Sequence, residues 1–553
     1  SVRVANNTGR GVIGTLTGTI GDITFARRIS IAGSDTIEVS FAPEDYPQLR
    51  AQRMRLWNPN GMGEPYLYDA SFAFQIQTTA NTSKQFQTTS NNPKQNQPKI
   101  SYLAGIREVT YAETDTRLQL FVNHRRVNPM GGNWGFPEHN LRYTAADYDT
   151  AVRLHREMGF NMIRNWVGQT PHRAFYEACD RHGILVWQDF WLANPADGPD
   201  PTDERMFMDN ARDYVYRIRQ HPSIALYCGR NEGFPPASLD SALRRCVAKE
   251  HPRMLYIPSS ADGGVSGHGP YWAVPRQEYF ARQTGKLHTE RGMPNVMGIE
   301  SLRCTLREEH LWPQGDAWGG HDYCQKGAQR GATFNALVGN YGEATDAETF
   351  CRWAQWQNYE GHRAMYEANN VGRQGLLMWM SHPCWPSMTW QTYDYFFDRG
   401  AAFYAIRKAC EPTHIQFDSQ RLRVQVVGQP GCREGQYEAQ AQVIDKNGTL
   451  ERQWSQPVDL RADSTMDVLD GLILPTDSAT HFLRLRLTDE EGRTASDNTY
   501  LYNARGDDYK DLTANAVDTK IDITVDGNTV RLRNRADRPA LMVHLRLMDK
   551  DGK

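Results

Sequence analysis

Long apolar runs are missing from this chain. No stretch approaches the ~20 consecutive apolar residues that a membrane-spanning helix needs, so no candidate span exists. An excess of one charge is missing too: 62 Lys and Arg stand against 65 Asp and Glu, a formal net charge of −3. Nothing there steers the chain toward nucleic acid or an anionic membrane. The nine cysteines are odd in number and scattered without CxxC or Cys/His ligand spacing. No structural zinc is signalled, and disulfides are not specified. Cys179, Cys228, Cys246, Cys304, Cys351 and Cys410 lie in runs that read as buried elements, where a free thiol behaves as a small hydrophobe. Ser1 brings neither an initiator Met nor a signal peptide, and the chain stops in the turn-like Asp549-Lys-Asp-Gly-Lys553. Both ends read as cut, so no cellular address can be taken from them.

What is abundant is length and aromatic rings. At 553 residues the chain exceeds a single core, and three or four domains are expected. Its 14 Trp and 25 Tyr supply flat amphipathic rings. Such rings fill cores; gathered at one rim, they also stack on the C–H face of a sugar.

Residues 1–77 alternate apolar and polar in short runs, as in Gly11-Val-Ile-Gly-Thr-Leu and Asp35-Thr-Ile-Glu-Val-Ser-Phe41. This is the pattern of a small immunoglobulin-like β-sandwich. Residues 78–99 are almost wholly polar and read as a linker or loop. From residue 100 to 412 strand-like and helix-like segments alternate. The strands are Leu118-Gln-Leu-Phe-Val-Asn123, Asn161 to Trp166, Gly183 to Asp189, Ser223 to Glu232, Met254 to Ser260, a run near Gly269-Pro-Tyr-Trp272, Lys286 to Glu290, and Gly375 to Met380. Eight strands with intervening helices predict a (β/α)8 TIM barrel. Strict alternation then resumes in Leu422-Arg-Val-Gln-Val-Val and Phe482-Leu-Arg-Leu-Arg-Leu, predicting a second immunoglobulin-like sandwich over 413–505. Residues 506–553 read as the start of a further β-domain, cut short. The expected class is therefore multidomain, a barrel flanked by β-sandwiches.

Two carboxylates end strand-like runs of this barrel: Glu232 on strand four and Glu290 on strand seven. Barrel strands present catalytic groups at their C-terminal ends. Hydrolysis of a glycosidic bond needs a proton for the leaving oxygen and a partner for the oxocarbenium-like carbon. In the retaining mechanism a carboxylic acid and a carboxylate about 5–5.5 Å apart divide those tasks. Glu232 suits acid/base work, with Asn231 beside it to bond a ring hydroxyl. Proximity and partial burial are expected to raise its pKa. Glu290 must stay ionised as the nucleophile, with Arg164 from strand two as cationic support. Glu300, in Gly298-Ile-Glu-Ser-Leu, is a rival for Glu290 but reads as first-turn charge of a helix.

Other strand ends offer sugar contacts: Asn133 and Trp134; Arg164, Asn165 and Trp166; Gln188 and Asp189; and Trp379, which could floor the site by stacking. Arg164 and Asp189 equally suit a buried pair tying strands together. Trp385 and Trp390 are lid rings or packing. His288 either orients a carboxylate or is a satisfied core histidine.

With these residues in view, the chain resembles glycoside hydrolase family 2, in its branch of β-mannosidases and exo-β-glucosaminidases. Gly131-Gly-Asn-Trp134, Met162-Ile-Arg-Asn-Trp166, Val186-Trp-Gln-Asp-Phe190, Gly229-Arg-Asn-Glu232 and His288-Thr-Glu-Arg-Gly292 fall in the family's order. Tyr393-Asp-Tyr-Phe-Phe397 and Lys408-Ala-Cys-Glu-Pro412 look like the exo-glucosaminidase side of the branch. The resemblance implies a retaining enzyme with Glu232 as acid/base and Glu290 as nucleophile, flanked by sandwiches. Two departures stand out. The family opens with a jelly-roll domain for which no room exists ahead of residue 1, and exo-glucosaminidases of this type carry Asp where Glu232 stands.

The function expected is a retaining exo-β-glycosidase, with a β-mannoside first and glucosaminide, galactoside or glucuronide behind it. An endo-β-mannosidase acting on glycoprotein glycans is the alternative within the same chemistry. A non-catalytic carbohydrate-binding protein is the alternative outside it, although mutually repelling carboxylates add little to a binding site. No cofactor or metal is called for. The partner is a carbohydrate chain end, and the substrate class implies a periplasmic or secreted setting.

Overall fold

The computed structural model describes residues 1–50, 54–77, 98–323, 330–514, 516 and 519–547. Most of the polar stretch read as a linker lies outside them. Val2–Asn6 pairs with Asp35–Val39, opposite a four-stranded antiparallel sheet ordered Ile23–Ile31, Val12–Ile20, Tyr68–Ile76, Lys99–Ala104. Leu16, Ile29, Ile31, Val39 and Phe74 are buried between the layers. This sheet does not stop at residue 77, because Lys99–Ala104 returns to pair with Tyr68–Ile76.

The barrel consists of eight parallel strands, numbered one to eight here: Met130–Trp134, Met162–Asn165, Leu185–Asp189, Ile224–Arg230, Tyr256–Ser259, Val265–Ser266, Leu287–Arg291 and Leu376–Met378. Hydrogen-bonded pairing runs five-four-three-two-one-eight-seven-six. Strands five and six meet across a seam, bridged by the Thr289 hydroxyl, which lies 2.7 Å from Ser260 O and 3.2 Å from Ser266 O.

Two strand expectations are corrected. Leu118–Asn123 is not barrel strand one. Gln119–Val122 joins Val109–Ala112 and Arg125–Val127 in a small antiparallel sheet. Leu118, Leu120, Val122 and Val127 share a buried cluster with Met162, Leu185, Trp187, Leu226 and Leu377, closing the barrel's inner core. Its alternation satisfied the strand pattern, whereas strand one, Met-Gly-Gly-Asn-Trp, carries two glycines and hides its character. Strand six is Val265–Ser266, two residues long, and Gly269–Trp272 is the loop beyond it.

Helices cover the outside of the sheet. Ala145–Glu157 opens on a reciprocal capping box between Thr144 and Asp147, and Arg173–His182 ends on Gly183 in the left-handed conformation. The longest helix, Ala347–Gly372, is buried along most of its length. Behind it stands the second sandwich, with sheets ordered Thr413–Asp418, Arg423–Gly428, Ser464–Val468 and Leu450–Leu460, Gly435–Asp445, His481–Asp489, Thr494–Tyr502. Buried polar groups join it to that helix: Glu367 accepts from His414 at 3.1 Å, Asn498 at 2.9 Å and Tyr500 at 2.7 Å. A two-stranded hairpin, Ile521–Asp526 with Thr529–Asn534, follows.

Candidate active site

Strand ends two, three, four and seven converge on one buried cation. Arg164 projects from strand two with no exposed surface. It donates to Glu290 at 2.7 Å, to Asp189 at 2.8 and 3.1 Å, and to the side-chain oxygen of Asn231 at 2.7 Å. Asp189 is held in turn by the Trp187 indole at 2.7 Å and the Val167 backbone N–H at 3.0 Å. Burial acts to lower the Arg164 guanidinium, but the charges of Asp189 and Glu290 outweigh it and hold it above its ordinary value.

Glu290 ends strand seven beside Arg164 and is almost fully buried. Glu232 lies two residues past strand four in a left-handed backbone conformation, φ +44°, that a side chain rarely adopts. Its N–H donates to the Ser260 hydroxyl at 3.0 Å, fixing the turn. The Tyr271 hydroxyl lies between the two carboxylates, 2.5 Å from Glu232 Oε1 and 2.7 Å from Glu290 Oε2. These two oxygens are therefore no more than about 5 Å apart. A phenol has one proton, so both short contacts become hydrogen bonds only if one carboxyl is protonated. Burial, followed by the charge of Glu290, raises the Tyr271 phenol and keeps it in the donating form.

Burial pushes Glu290 up to about 8; Arg164 opposes the shift and the charge of Glu232 adds to it. Because that rise includes an ionised Glu232, the value belongs to the pair as its upper titration. Double displacement needs one proton on the pair. Arg164, bonded to Glu290, draws the negative charge to that side. The arrangement can thus offer a proton from one carboxyl and an ionised oxygen from the other.

Beside the pair stand four partly exposed rings. Trp379 packs edge-on against Trp166 at 4.9 Å, Trp390 at 5.9 Å and Tyr271 at 6.1 Å between centroids. The Trp390 indole donates to Tyr271 O at 2.9 Å. Cavities of 240, 600 and 1100 Å³ lie elsewhere, and none is lined by either carboxylate.

Several expected sugar contacts are not surface groups. Arg164 and Asp189 form the buried pair, which takes up their polar atoms. Asn165 is buried, donating to Thr170 O and Gln188, and Gln188 also takes the Tyr176 hydroxyl. Trp134 is 0% exposed, its ring stacked between His382 and His155. Asn133 donates to Thr289, Leu377 and Met378 carbonyls, tying strands one, seven and eight together. Wide strand-end side chains that reach the rim in sequence are drawn inward here because the barrel core must be filled. His288 is a core histidine pushed by burial down to about 3, and so neutral. Glu300 is exposed in the first turn of Ile299–Thr305 and pairs with Arg546 at 3.2 Å. Asn231, Trp166 and Trp379 remain at the pair. The sequence reading passed over Tyr271, Ser260 and His268. Their signal was a Gly-His-Gly-Pro-Tyr-Trp loop directly after a barrel strand, where a Gly/Pro turn carries His and Tyr.

No family model matches the chain. It is 27% identical over 554 residues to an exo-β-D-glucosaminidase of Streptomyces avermitilis, covering 91% of this chain and 58% of that protein. It is 28% identical over 484 residues to a mannosylglycoprotein endo-β-mannosidase of Lilium longiflorum, covering 75% of this chain and 49% of that one. The chain thus spans about half the length of these curated relatives. The solved structure of an Amycolatopsis orientalis exo-chitosanase superposes with a TM-score of 0.80 at 20% identity, over 97% of this chain and 68% of that one. At that identity the likeness concerns the fold. The resemblance drawn from the motifs, to the β-mannosidase and exo-β-glucosaminidase branch, is borne out by these relatives, and the multidomain barrel-and-sandwich class by the superposition.

Proposed function

We propose that this protein is a retaining exo-β-glycosidase that removes a terminal β-linked sugar from a glycan, a β-mannoside first among the candidates. Glu232 gives its proton to the leaving oxygen while Glu290 attacks the anomeric carbon. The resulting glycosyl-enzyme is hydrolysed by a water that Glu232 deprotonates. The observation that carries this reading is the Tyr271 hydroxyl bonded to both carboxylates, which limits their separation to about 5 Å and matches double displacement. A water-mediated inverting attack would need a gap of roughly 6.5–9.5 Å. Arg164 supports the nucleophile's charge without touching sugar, Asn231 is the donor toward the ring hydroxyl next to the reacting carbon, and Trp379 with Trp166 supplies the stacking face. The relatives' printed activities support the exo-glycosidase reading. The lily relative favours one second reading, endo-cleavage at mannose within a glycoprotein glycan. The chemistry fits a periplasmic or secreted setting.

A panel of nitrophenyl β-glycosides tests the proposal. Release from at least one β-sugar is expected, abolished in Glu290→Gln and kept by Glu232→Gln mainly on the best leaving groups. No release from any of them would overturn it.

A further inference from the structure

The reaction proposed above leaves one group at the pair unused. His268 lies in the loop after strand six, its side chain 64% exposed, with Nδ1 3.3 Å from Glu232 Oε1. This loop is laced to the nucleophile's strand. Gly269 N–H donates to Glu290 O at 3.2 Å, and Gly292 N–H to Pro270 O at 2.9 Å. Gly269 takes φ +71°, the left-handed region that a side chain would resist. His268 is therefore presented from a fixed backbone.

An acid/base residue works twice, and the two halves make opposite demands. In the first, Glu232 must hold a proton on an oxygen facing the leaving group. In the second it is an anion that must accept a proton from water. Tyr271 has a single proton to give. Its contact and that of His268 both fall on Oε1, while Oε2 has no partner among the described residues. An imidazole in contact with Oε1 at 3.3 Å thus restrains the carboxylate and leaves Oε2 open to the incoming water.

We propose that His268 is a positioning residue for the second half of the cycle, holding ionised Glu232 so that Oε2 takes the water's proton. This rests on the double-displacement reading. In that step the water's proton passes to Glu232 Oε2 and its oxygen bonds the anomeric carbon. The bond from that carbon to Glu290 breaks, its electron pair returning to the Glu290 carboxylate. His268 stays against Oε1 throughout and takes no part in the proton transfer.

The test uses a dinitrophenyl β-glycoside of whichever sugar the wild-type protein cleaves best, because such a leaving group departs without an acid and breakdown of the glycosyl-enzyme limits turnover. His268→Ala is expected to lower kcat about ten-fold, as for one hydrogen bond to a charged group, and to leave kcat/KM within about two-fold. A burst of dinitrophenolate should grow. His268→Asn, whose amide N–H can reach the same oxygen, should retain most of kcat. A fall in kcat/KM with kcat unchanged would make His268 a sugar contact and overturn the proposal, as would no change in either constant. Wild-type protein inactive on every β-glycoside would remove the proposed function, and this role with it.

Discussion

Replacing Tyr271 by phenylalanine removes one oxygen from between two carboxylates and leaves the ring against Trp379 and Trp390. The hydroxyl is the group that bonds both carboxylates directly, at 2.5 and 2.7 Å. A hydrogen bond to a charged group contributes about 1.5–3 kcal/mol, so kcat/KM should fall roughly 10- to 150-fold if the bond is realised in the transition state. The pH profile carries a second, independent signature. The active pair holds one proton, so wild-type kcat/KM should decline as pH rises through the pair's upper value near 8. The Tyr271 hydrogen bond is one of the influences that lower Glu290. Without it, the alkaline limb should move to higher pH even as the plateau drops. The assay is kcat/KM against pH on one aryl β-glycoside, with a thermal melt to confirm that Tyr271→Phe folds. A plateau within about two-fold of wild type, or an alkaline limb that moves down, would refute the reasoning.

Stability should record the same burial. The pair's upper value is raised from an ordinary carboxyl's 4.5 to about 8 in the folded protein, so its contribution is fully present below about 4.5 and lost as pH rises through about 8. At 1.36 kcal/mol per pKa unit the loss has a ceiling of about 5 kcal/mol. Urea unfolding should find Glu290→Gln more stable than wild type at pH 9 and little different at pH 5; parallel curves would refute this. Arg164→Gln strands Asp189 and Glu290 as buried carboxyls and should cost about 3–5 kcal/mol in the same assay, with activity lost. His414, wholly buried between Glu367 and Glu411, is held above its ordinary value by hydrogen bonds to both, burial opposing. Its contribution is fully present below about 6.5 and lost as pH rises through the higher folded value. His414→Gln should therefore flatten the fall in wild-type stability above neutral pH, measured by urea titration.

The barrel was legible because six of its strands are short segments between helical stretches, with apolar runs in Leu185–Asp189, Ile224–Arg230 and Leu376–Met378. The chemistry was legible where a carboxylate ends such a run. Strand one escaped because Gly131 and Gly132 replace the apolar side chains that announce a strand, while the hairpin strand at Leu118–Asn123 imitates one. Gly131 admits no side chain: a Cβ there would come within 1.8 Å of Met162 O. Sequence position placed Arg164, Asn165, Asp189 and Trp134 at strand ends. It could not distinguish a side chain that reaches the rim from one folded into the barrel core, because that depends on inter-strand register. Tyr271 was hidden for another reason. Its role arises from a loop after strand six that reaches both Glu232 and Glu290, and no local periodicity records that path.

The central claim is that Glu290 becomes covalently bonded to the sugar. Incubation with a 2-deoxy-2-fluoro β-glycoside carrying a good leaving group, followed by proteolysis and mass spectrometry, tests it directly. The account predicts one fluoroglycosyl adduct on the peptide containing Glu290, absent from Glu290→Gln. An adduct on another carboxylate, or inactivation with no adduct at all, would contradict it.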